Sequence, residues 1–358
     1  MAMTAPSSEV ERSNESARRI AILSNQGEVG GGEVMLLALA KAARDLGHEV
    51  VVVAPEHPAD VVEAAAAQAF QIVAVPGSNA RSYARHLRAW ARRSGADLLW
   101  CNGLRPAFAT AGLPKRVVHL HQVPQGMTVI AARLARRGCC ATVVPSRYVA
   151  DRVPGSVVLE NWVAPVDTAH SEKRRTLTLG YLGRLSPDKG VDILADAVRT
   201  LVADGREVRL LVAGEARCVA SDAATRIEVG LENLGARVTR QGWVPREAFF
   251  DAVDLAIFPS ITEEAFGLVA AEAMAARCPF VVSDAGALPE VVGTTYPFVA
   301  RRGDAASLAE TIGRALDAEW HDLVEDSYAR WRLHYSPEAG RTRLGALIDS
   351  LLTKETAR

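Results

Sequence analysis

Two hydrophobic rhythms alternate along this chain. Short runs rich in β-branched residues, RIAILS, EVVVVAP, QIVAVP, DLLWCN, VVHLHQ and ATVVPS, are separated by stretches in which apolar residues recur every three or four positions, notably Glu33 to Leu46 and Arg81 to Arg93. Continuous apolar runs of this kind suit strands covered on both faces, and the 3.6-residue period suits helices, so the first half predicts β/α units around a parallel sheet. Residues 161–176, NWVAPVDTAHSEKRRT, interrupt the rhythm with two prolines and a charge run, as a linker would. It then restarts in LTLGYLG, VRLLVAG, RVTRQGW, LAIFPS, PFVVSD and YPFVA. A last helical pattern opens at YSPEAG, with Ser336 suited to the N-cap and Pro337 to the first helical position, and could pack on either domain. Two such domains about a linker make a cleft where the C-terminal ends of both strand sets face each other, which is where ligands are expected.

The expected divisions are a tail over 1–17, a first Rossmann-like domain over 18–163, a linker over 164–176, a second Rossmann-like domain over 177–334 and a C-terminal segment over 335–358. A length of 358 residues, 49% of them hydrophobic and 23% charged, fits a globular protein of two domains. The formal net charge of -1 argues against a general nucleic-acid binder. Lysine is scarce, only Lys41, Lys115, Lys173, Lys189 and Lys354, so a lysine inside a motif carries information. The five cysteines form no C-x-x-C pair, and four lie in or beside apolar runs that read as buried, which predicts a reduced, cytoplasmic protein. Residues 1–17 are polar and acidic without an apolar core, and read as a disordered tail rather than a signal or a span. No uninterrupted apolar run approaches the ~18 residues of a membrane-crossing helix.

Candidate chemistry begins at NQGEVGGGEVMLLALAK, where Gly27, Gly30, Gly31 and Gly32 lie between a strand and a helix pattern starting near Glu33. Backbone N–H groups at such a junction can face an anion. Neither the dinucleotide fingerprint nor the P-loop fits, because Met35 stands where the third glycine belongs and no Lys-Ser or Lys-Thr follows.

PSITEEAFGLVAAEAMAARCPFVVSDAGALPE carries more. Glu264 and Glu272 bracket Phe266, Gly267 and Leu268, where a helix should begin, and its first-turn amides have no intrahelical partners. An anion can dock there while each acid accepts from sugar hydroxyls. In LGYLGRLSPDKGVDILADAV, Gly183 and Arg184 end a strand, Ser186 can cap, Pro187 can open the next helix and Lys189 falls in its first turn. Cations there oppose the helix dipole unless an anion lies between, and a planar fork beside a point charge suits a diphosphate.

Together GGGE, LGRLSPDKG and EEAFGLVAAEAMA resemble the family 4 (group 1) glycosyltransferases of the GT-B fold, over residues 19 to 352. The resemblance implies two Rossmann-like β/α/β domains facing across a deep cleft, with the C-terminal helix crossing back to the first. It implies Arg184 and Lys189 on the donor diphosphate, Glu264 with the backbone of Phe266, Gly267 and Leu268 on the transferred sugar and phosphate, and Glu272 on ribose hydroxyls. Gly183 joins that donor set, and Gly30 and Gly31 approach the diphosphate from the opposite domain. VVHLHQV resembles the family's strand-end histidine, which implies His121 near sugar and acceptor, with His119 turned into the core; a plain core or loop histidine is the alternative. Two departures stand out: Arg277 where the family commonly has glycine, and Asn161-Trp162-Val163-Ala164 for N-G-V-D.

The implied reaction is retaining transfer of a hexose from a UDP-, GDP-, ADP- or dTDP-sugar to an acceptor hydroxyl on a cell-envelope glycan or lipid, or on a small natural product. Arg184, Lys189, Glu264 and His121 would carry it. The chain contains no D-x-D motif, so fixed cations are expected to replace a metal, and no cofactor is implied. A glycoside phosphorylase, a nucleotide-sugar epimerase and a non-catalytic nucleotide-sugar-binding subunit are the competing readings. Arg81, Arg85, Arg88 and Arg92 share one helical face opposite Tyr83, Leu87 and Trp90. That face reads as a solvated surface, or as peripheral contact with an anionic membrane at its inner face.

Overall fold

The computed structural model describes residues 17–168, 177–215 and 221–356. Almost all of the expected tail, the second half of the expected linker and Cys218 lie outside the described residues. The chain divides into two compact units. One takes the chain up to Pro145, Val149–Asn161 and everything from Pro337; the other takes Ser146–Tyr148 and Trp162–Ser336.

The first unit runs β1 (Arg19–Ser24), α1 (Gly31–Asp45), β2 (Glu49–Pro55), α2 (Asp60–Ala67), β3 (Gln71–Val75), α3 (Ala80–Ala91), β4 (Leu98–Asn102), α4 (Leu104–Ala109), β5 (Arg116–His119), α5 (Met127–Ala135), β6 (Ala141–Val144), the short α6 (Arg147–Ala150) that begins in the other unit, and β7 (Val157–Val158). Its seven strands form one parallel sheet in the order β3-β2-β1-β4-β5-β6-β7. Ile20 sits between Val50 and Leu98, and Ile22 between Val52 and Trp100. Consecutive residues along these strands are buried, Ile20 to Leu23 and Val50 to Ala54 among them, so the alternation of a half-exposed strand is missing.

In the second unit β8 (Leu177–Leu182) leads through a 3-10 turn (Pro187–Lys189) into α7 (Val191–Ala203). Then come β9 (Val208–Ala213), α8 (Ser221–Glu232), β10 (Val238–Gly242), α9 (Arg246–Ala252), β11 (Leu255–Phe258), α10 (Leu268–Ala275), β12 (Phe280–Ser283), α11 (Leu288–Val292), β13 (Val299–Ala300), α12 (Ala305–Leu316), α13 (His321–Arg330) and a π turn (Trp331–Tyr335). Six parallel strands are ordered β10-β9-β8-β11-β12-β13. The last helix, α14 (Pro337–Thr356), returns to the first unit and packs on α1, burying Leu344, Ile348 and Leu351 along one face. Ser336, ahead of it, donates its hydroxyl back to the Arg332 carbonyl at 2.9 Å. Among the described residues no helix is long and apolar enough to cross a membrane.

Several details depart from expectation. The 3-10 turn and Gly190, which has a left-handed φ of 70°, separate Lys189 from α7, so Lys189 precedes the helix rather than lying in its first turn. Ser186 stands at the N-cap of that 3-10 turn without a side-chain cap hydrogen bond. Cys101 and Cys278 are buried, but Cys139 is half-buried and Cys140 exposed, because both fall in the turn after α5 rather than within a strand. In α3, Asn79 caps through hydrogen bonds from the Arg81 and Ser82 amides, and Tyr83 and Leu87 are buried. Arg88 leaves the expected arginine stripe: its guanidinium donates to the Ala109 and Ala111 carbonyls, 2.9 Å each, and holds the end of α4. Arg277 takes the left-handed conformation glycine would favour (φ 50°), while its guanidinium stacks 3.5 Å over Tyr328 and pairs with Glu325.

Candidate active site

A polar cluster in the second unit centres on Glu264. Its Oε1 accepts from Lys189 Nζ and from Ser260 Oγ, both at 2.5 Å, while Oε2 has no protein partner among the described residues. The Lys189 and Glu264 side chains are 30% and 18% exposed, so the pair is shielded yet reachable. Ser260 is fixed in turn, since Ser283 Oγ donates to its carbonyl at 2.6 Å. The Glu264 carbonyl accepts from the Ala287 amide at 2.8 Å.

Two motifs about seventy residues apart in sequence are joined here by backbone. The Asp188 carbonyl accepts from the Ile261 amide at 2.9 Å and the Thr262 amide at 3.3 Å. A Cβ on Gly190 would come within 2.0 Å of the Pro259 carbonyl oxygen, so this glycine lets the Lys189 turn lie against the Glu264 loop. Arg184, just past Gly183 at the end of β8, is half exposed and pairs with Asp188 at 3.0 Å.

Gly267 is the N-cap of α10 with φ 93°, and Leu268 is the first helical residue, as the motif predicts. First-turn amides of such a helix carry partial positive charge outward. Phe266 contributes its side chain to the core, 3% exposed and edge-on to Tyr335. Glu272, further along α10, lies 3.7 Å from Arg246 at the start of α9.

Burial raises the Glu272 carboxyl to about 7, with Arg246 acting in the opposite direction. An acid that holds its proton more tightly folded than unfolded costs the native state stability as pH rises from its ordinary range through that folded value. Glu272→Gln is therefore expected to melt above the parent at pH 8 and level with it at pH 4. Thermal unfolding at both pH values checks this, and an equal offset at both would exclude a titrating Glu272.

In the first unit the glycine-rich loop is bound up with Glu33. Gly30 is the N-cap of α1 and Gly31 its first residue, two positions ahead of the expected start, because Glu33 closes a capping box. Its Oε2 accepts from the Gly30 amide at 3.3 Å and from Gln26 at 3.4 Å. Burial raises the Glu33 carboxyl above its usual range. Gly31 is exposed.

His119 is buried and His121 half-buried, rings tilted with centroids 4.0 Å apart. Asn102 Nδ2 donates to the Gly32 carbonyl at 2.8 Å, so its Oδ1 faces His121 Nε2, also at 2.8 Å. His121 Nε2 must then carry the hydrogen, leaving Nδ1 as a buried acceptor without a partner. Burial lowers its pKa to about 4, so the imidazole is neutral at pH 7.

The structure brings Lys189 onto Glu264, in the loop that runs into the Gly267 cap, with Arg184 on the turn that carries Lys189. Sequence reasoning missed Ser260, Ser283, Gly190, Arg246 and Asn102. Only Gly190, in DKG between a turn and a helix, left a readable signal.

The chain's first half, residues 29–157, matches the model described as Glycosyltransferase Family 4, and residues 176–318 match Glycosyl transferases group 1. It is 32% identical over 200 residues to the 2-deoxystreptamine glucosyltransferase of Streptomyces kanamyceticus, covering 53% of this chain and 49% of that one. It is 34% identical over 157 residues to a lipopolysaccharide 1,2-N-acetylglucosaminetransferase of Salmonella typhimurium, covering 40% and 41%. The matched stretch thus spans half or less of these curated relatives. Among solved structures, HepE of Anabaena with UDP and glucose superposes at a TM-score of 0.81 and 20% identity, over 93% of this chain and all of that one. Sucrose-phosphate synthase of Thermosynechococcus elongatus gives 0.79 and 20% over 94% and 100%. Both likenesses concern the fold.

Proposed function

The chain belongs to the family 4, group 1 glycosyltransferases of the GT-B fold, and from that premise we propose that it moves a hexose from a nucleoside diphosphate sugar to an acceptor hydroxyl with retention of configuration. The observation carrying this reading is the convergence of Lys189 and Ser260 on one oxygen of Glu264, in the loop that runs into the Gly267-capped helix. In the proposed reaction the bond from the anomeric carbon to the diphosphate breaks and the acceptor oxygen bonds to the same face. The acceptor proton passes to the departing phosphate. Arg184, Lys189 and the first amides of α10 stabilise the charge that develops on the diphosphate. Oε2 of Glu264 orients the sugar hydroxyls, Glu272 takes the ribose and neutral His121 serves as an acceptor of hydrogen bonds rather than as a cation. Gly183 and the Gly30-Gly31 backbone complete the proposed donor contacts.

Relatives act on acceptors as different as 2-deoxystreptamine and lipopolysaccharide, so the proposed acceptor class spans small natural products and cell-envelope glycans or lipids. HepE was solved with UDP-glucose, which puts UDP-glucose first among donors to try. Thermal-shift screening of UDP-, GDP-, ADP- and dTDP-hexoses, followed by donor hydrolysis on the hits, tests the proposal. A protein that binds no sugar nucleotide, or cleaves a glycoside only with inorganic phosphate, would overturn it. With fixed cations on the diphosphate, turnover is expected to persist in excess EDTA. Complete loss restored by magnesium would show that a metal is required.

A further inference from the structure

The four cysteines among the described residues fall into two kinds. Cys101 and Cys278 are buried, and burial pushes their thiols up to about 11 and about 12, so neither gives up its proton to react at neutral pH. Cys139 and Cys140 stand side by side in the turn after α5, one half-buried and the other exposed, and form no disulfide. The backbone holds that turn in place. Gly138 reverses the chain with φ 70°, the Cys139 amide donates to the Arg136 carbonyl at 3.2 Å, and the Cys140 amide donates to the Arg116 carbonyl at 2.7 Å. The buried Arg116 guanidinium also donates to the Ala135 and Arg137 carbonyls. Both thiols are therefore fixed against the start of β5.

The wall around them is cationic. A cavity of ≈ 320 Å³ is lined by Arg133, Arg136, Arg137, Cys139, Cys140 and Thr142, and no acidic residue lines it among the described residues. Arg136 is held by Thr142 Oγ1 at 2.8 Å and the Pro154 carbonyl at 2.6 Å, neither of which is a carboxylate, while Arg133 and Arg137 are exposed. Residues 98–145 contain six Lys or Arg and no Asp or Glu, so nearby sequence supplies no counter-charge. Guanidinium forks and thiols in one wall suit a ligand that carries both carboxylates and sulfur. The cavity lies at the strand-start edge of the sheet, beside Ala141 at the head of β6, whereas Asn102 ends β4 and Gly30 follows β1 at the other edge. It is thus separate from the proposed transfer chemistry.

We propose that Cys140 is a thiol-modification site, at which an anionic low-molecular-weight disulfide sets its carboxylates on Arg133 and Arg137 and forms a mixed disulfide with the protein. The Cys140 thiolate attacks one sulfur of the reagent, whose S–S bond breaks as the new S–S bond to the protein forms. The other half departs as a thiolate and takes up the proton that Cys140 lost. Cys140 is oxidised and the departing half is reduced, so no further oxidant enters. Exposure selects Cys140 over the half-buried Cys139, whose Sγ lies 3.7 Å from Thr142 Oγ1.

The test treats the reduced full chain with glutathione disulfide, which is anionic, and in parallel with cystamine, a cationic disulfide, each rate being divided by that of free cysteine with the same reagent. Intact mass and peptide mapping are expected to show one glutathionyl group, on Cys140, with a normalised rate for glutathione disulfide roughly tenfold or more above that for cystamine. Cys140→Ser should abolish labelling. Arg133→Gln with Arg137→Gln should bring the two normalised rates within about twofold of each other at an unchanged melting temperature, since both positions are exposed. Equal normalised rates in the parent, a preference that survives the arginine substitutions, or labelling on Cys139 or Cys218 would overturn the proposal. So would a disulfide between Cys139 and Cys140 in place of the adduct, which would make the pair an internal redox couple.

Discussion

Lys189→Ala is expected to lower kcat for the proposed transfer by ~10²–10³ while donor Kd changes by less than ~10-fold, because a fixed cation matters most when charge develops on the leaving diphosphate. In the structure Lys189 is committed to Glu264 Oε1, an oxygen that also receives Ser260 Oγ. A donor would therefore find the cation already held at 2.5 Å from the acid proposed to orient the sugar, with little reorganisation left to make. Removing the ammonium leaves Glu264 with Ser260 as its partner on that oxygen. With both partners partly exposed, the stability cost should stay near ~1 kcal/mol. Lys41→Ala serves as the control, since Lys41 lies exposed on α1 and, among the described residues, pairs only with Asp45. Single-turnover and steady-state rates with the best donor decide the matter. An unchanged kcat removes Lys189 from the chemistry, and equal losses in kcat and affinity would make it a uniform binding contact.

The parallel sheets were legible in the sequence because strands covered on both faces need continuous apolar runs. RIAILS and EVVVVAP became neighbouring strands with Ile20 opposite Val50. The Gly267 cap was equally legible, since a glycine directly ahead of an alanine-rich apolar run has few other uses. What escaped depends on contacts distant in sequence. Lys189 read as a first-turn residue because Ser186 and Pro187 are helix-start signals, and the close approach of Gly190 to Pro259, which sets the turn apart, is invisible locally. Ser260 and Ser283 gave no pattern, because a hydroxyl acquires its role only when β11 and β12 lie side by side. Helix α5 shows the converse limit. Periodicity reveals an apolar face without saying which way it points, and here alanines face inward. Arg88 read as one of four equivalent surface cations until the end of α4 supplied carbonyls for it.

Gly286→Ala should damage the candidate site more than any conservative change at a side chain that would touch a ligand. Gly286 has φ 62°, and a Cβ there would lie 2.3 Å from the Glu264 carbonyl oxygen and 2.5 Å from its amide nitrogen. Neither atom belongs to a flexible side chain, so the loop carrying Glu264 must move. The left-handed backbone adds ~1–2 kcal/mol and the overlap ~1–3 kcal/mol. The displacement is transmitted directly to the Glu264 carboxylate, and a shift of ~1 Å at a positioned group costs about 10²-fold in rate. The expected result is a lower melting temperature together with a loss of donor affinity of roughly tenfold or more. Gly47→Ala separates the two causes of strain. Gly47 has φ 88° but nothing within 4 Å of a Cβ, and it lies in the first unit, so its substitution should cost only the backbone term and leave donor binding intact. If both variants lose stability equally and bind donor like the parent, Gly286 does not position Glu264. If Gly286→Ala alone loses donor binding, the glycine in SDAG belongs to the site through the acid it supports.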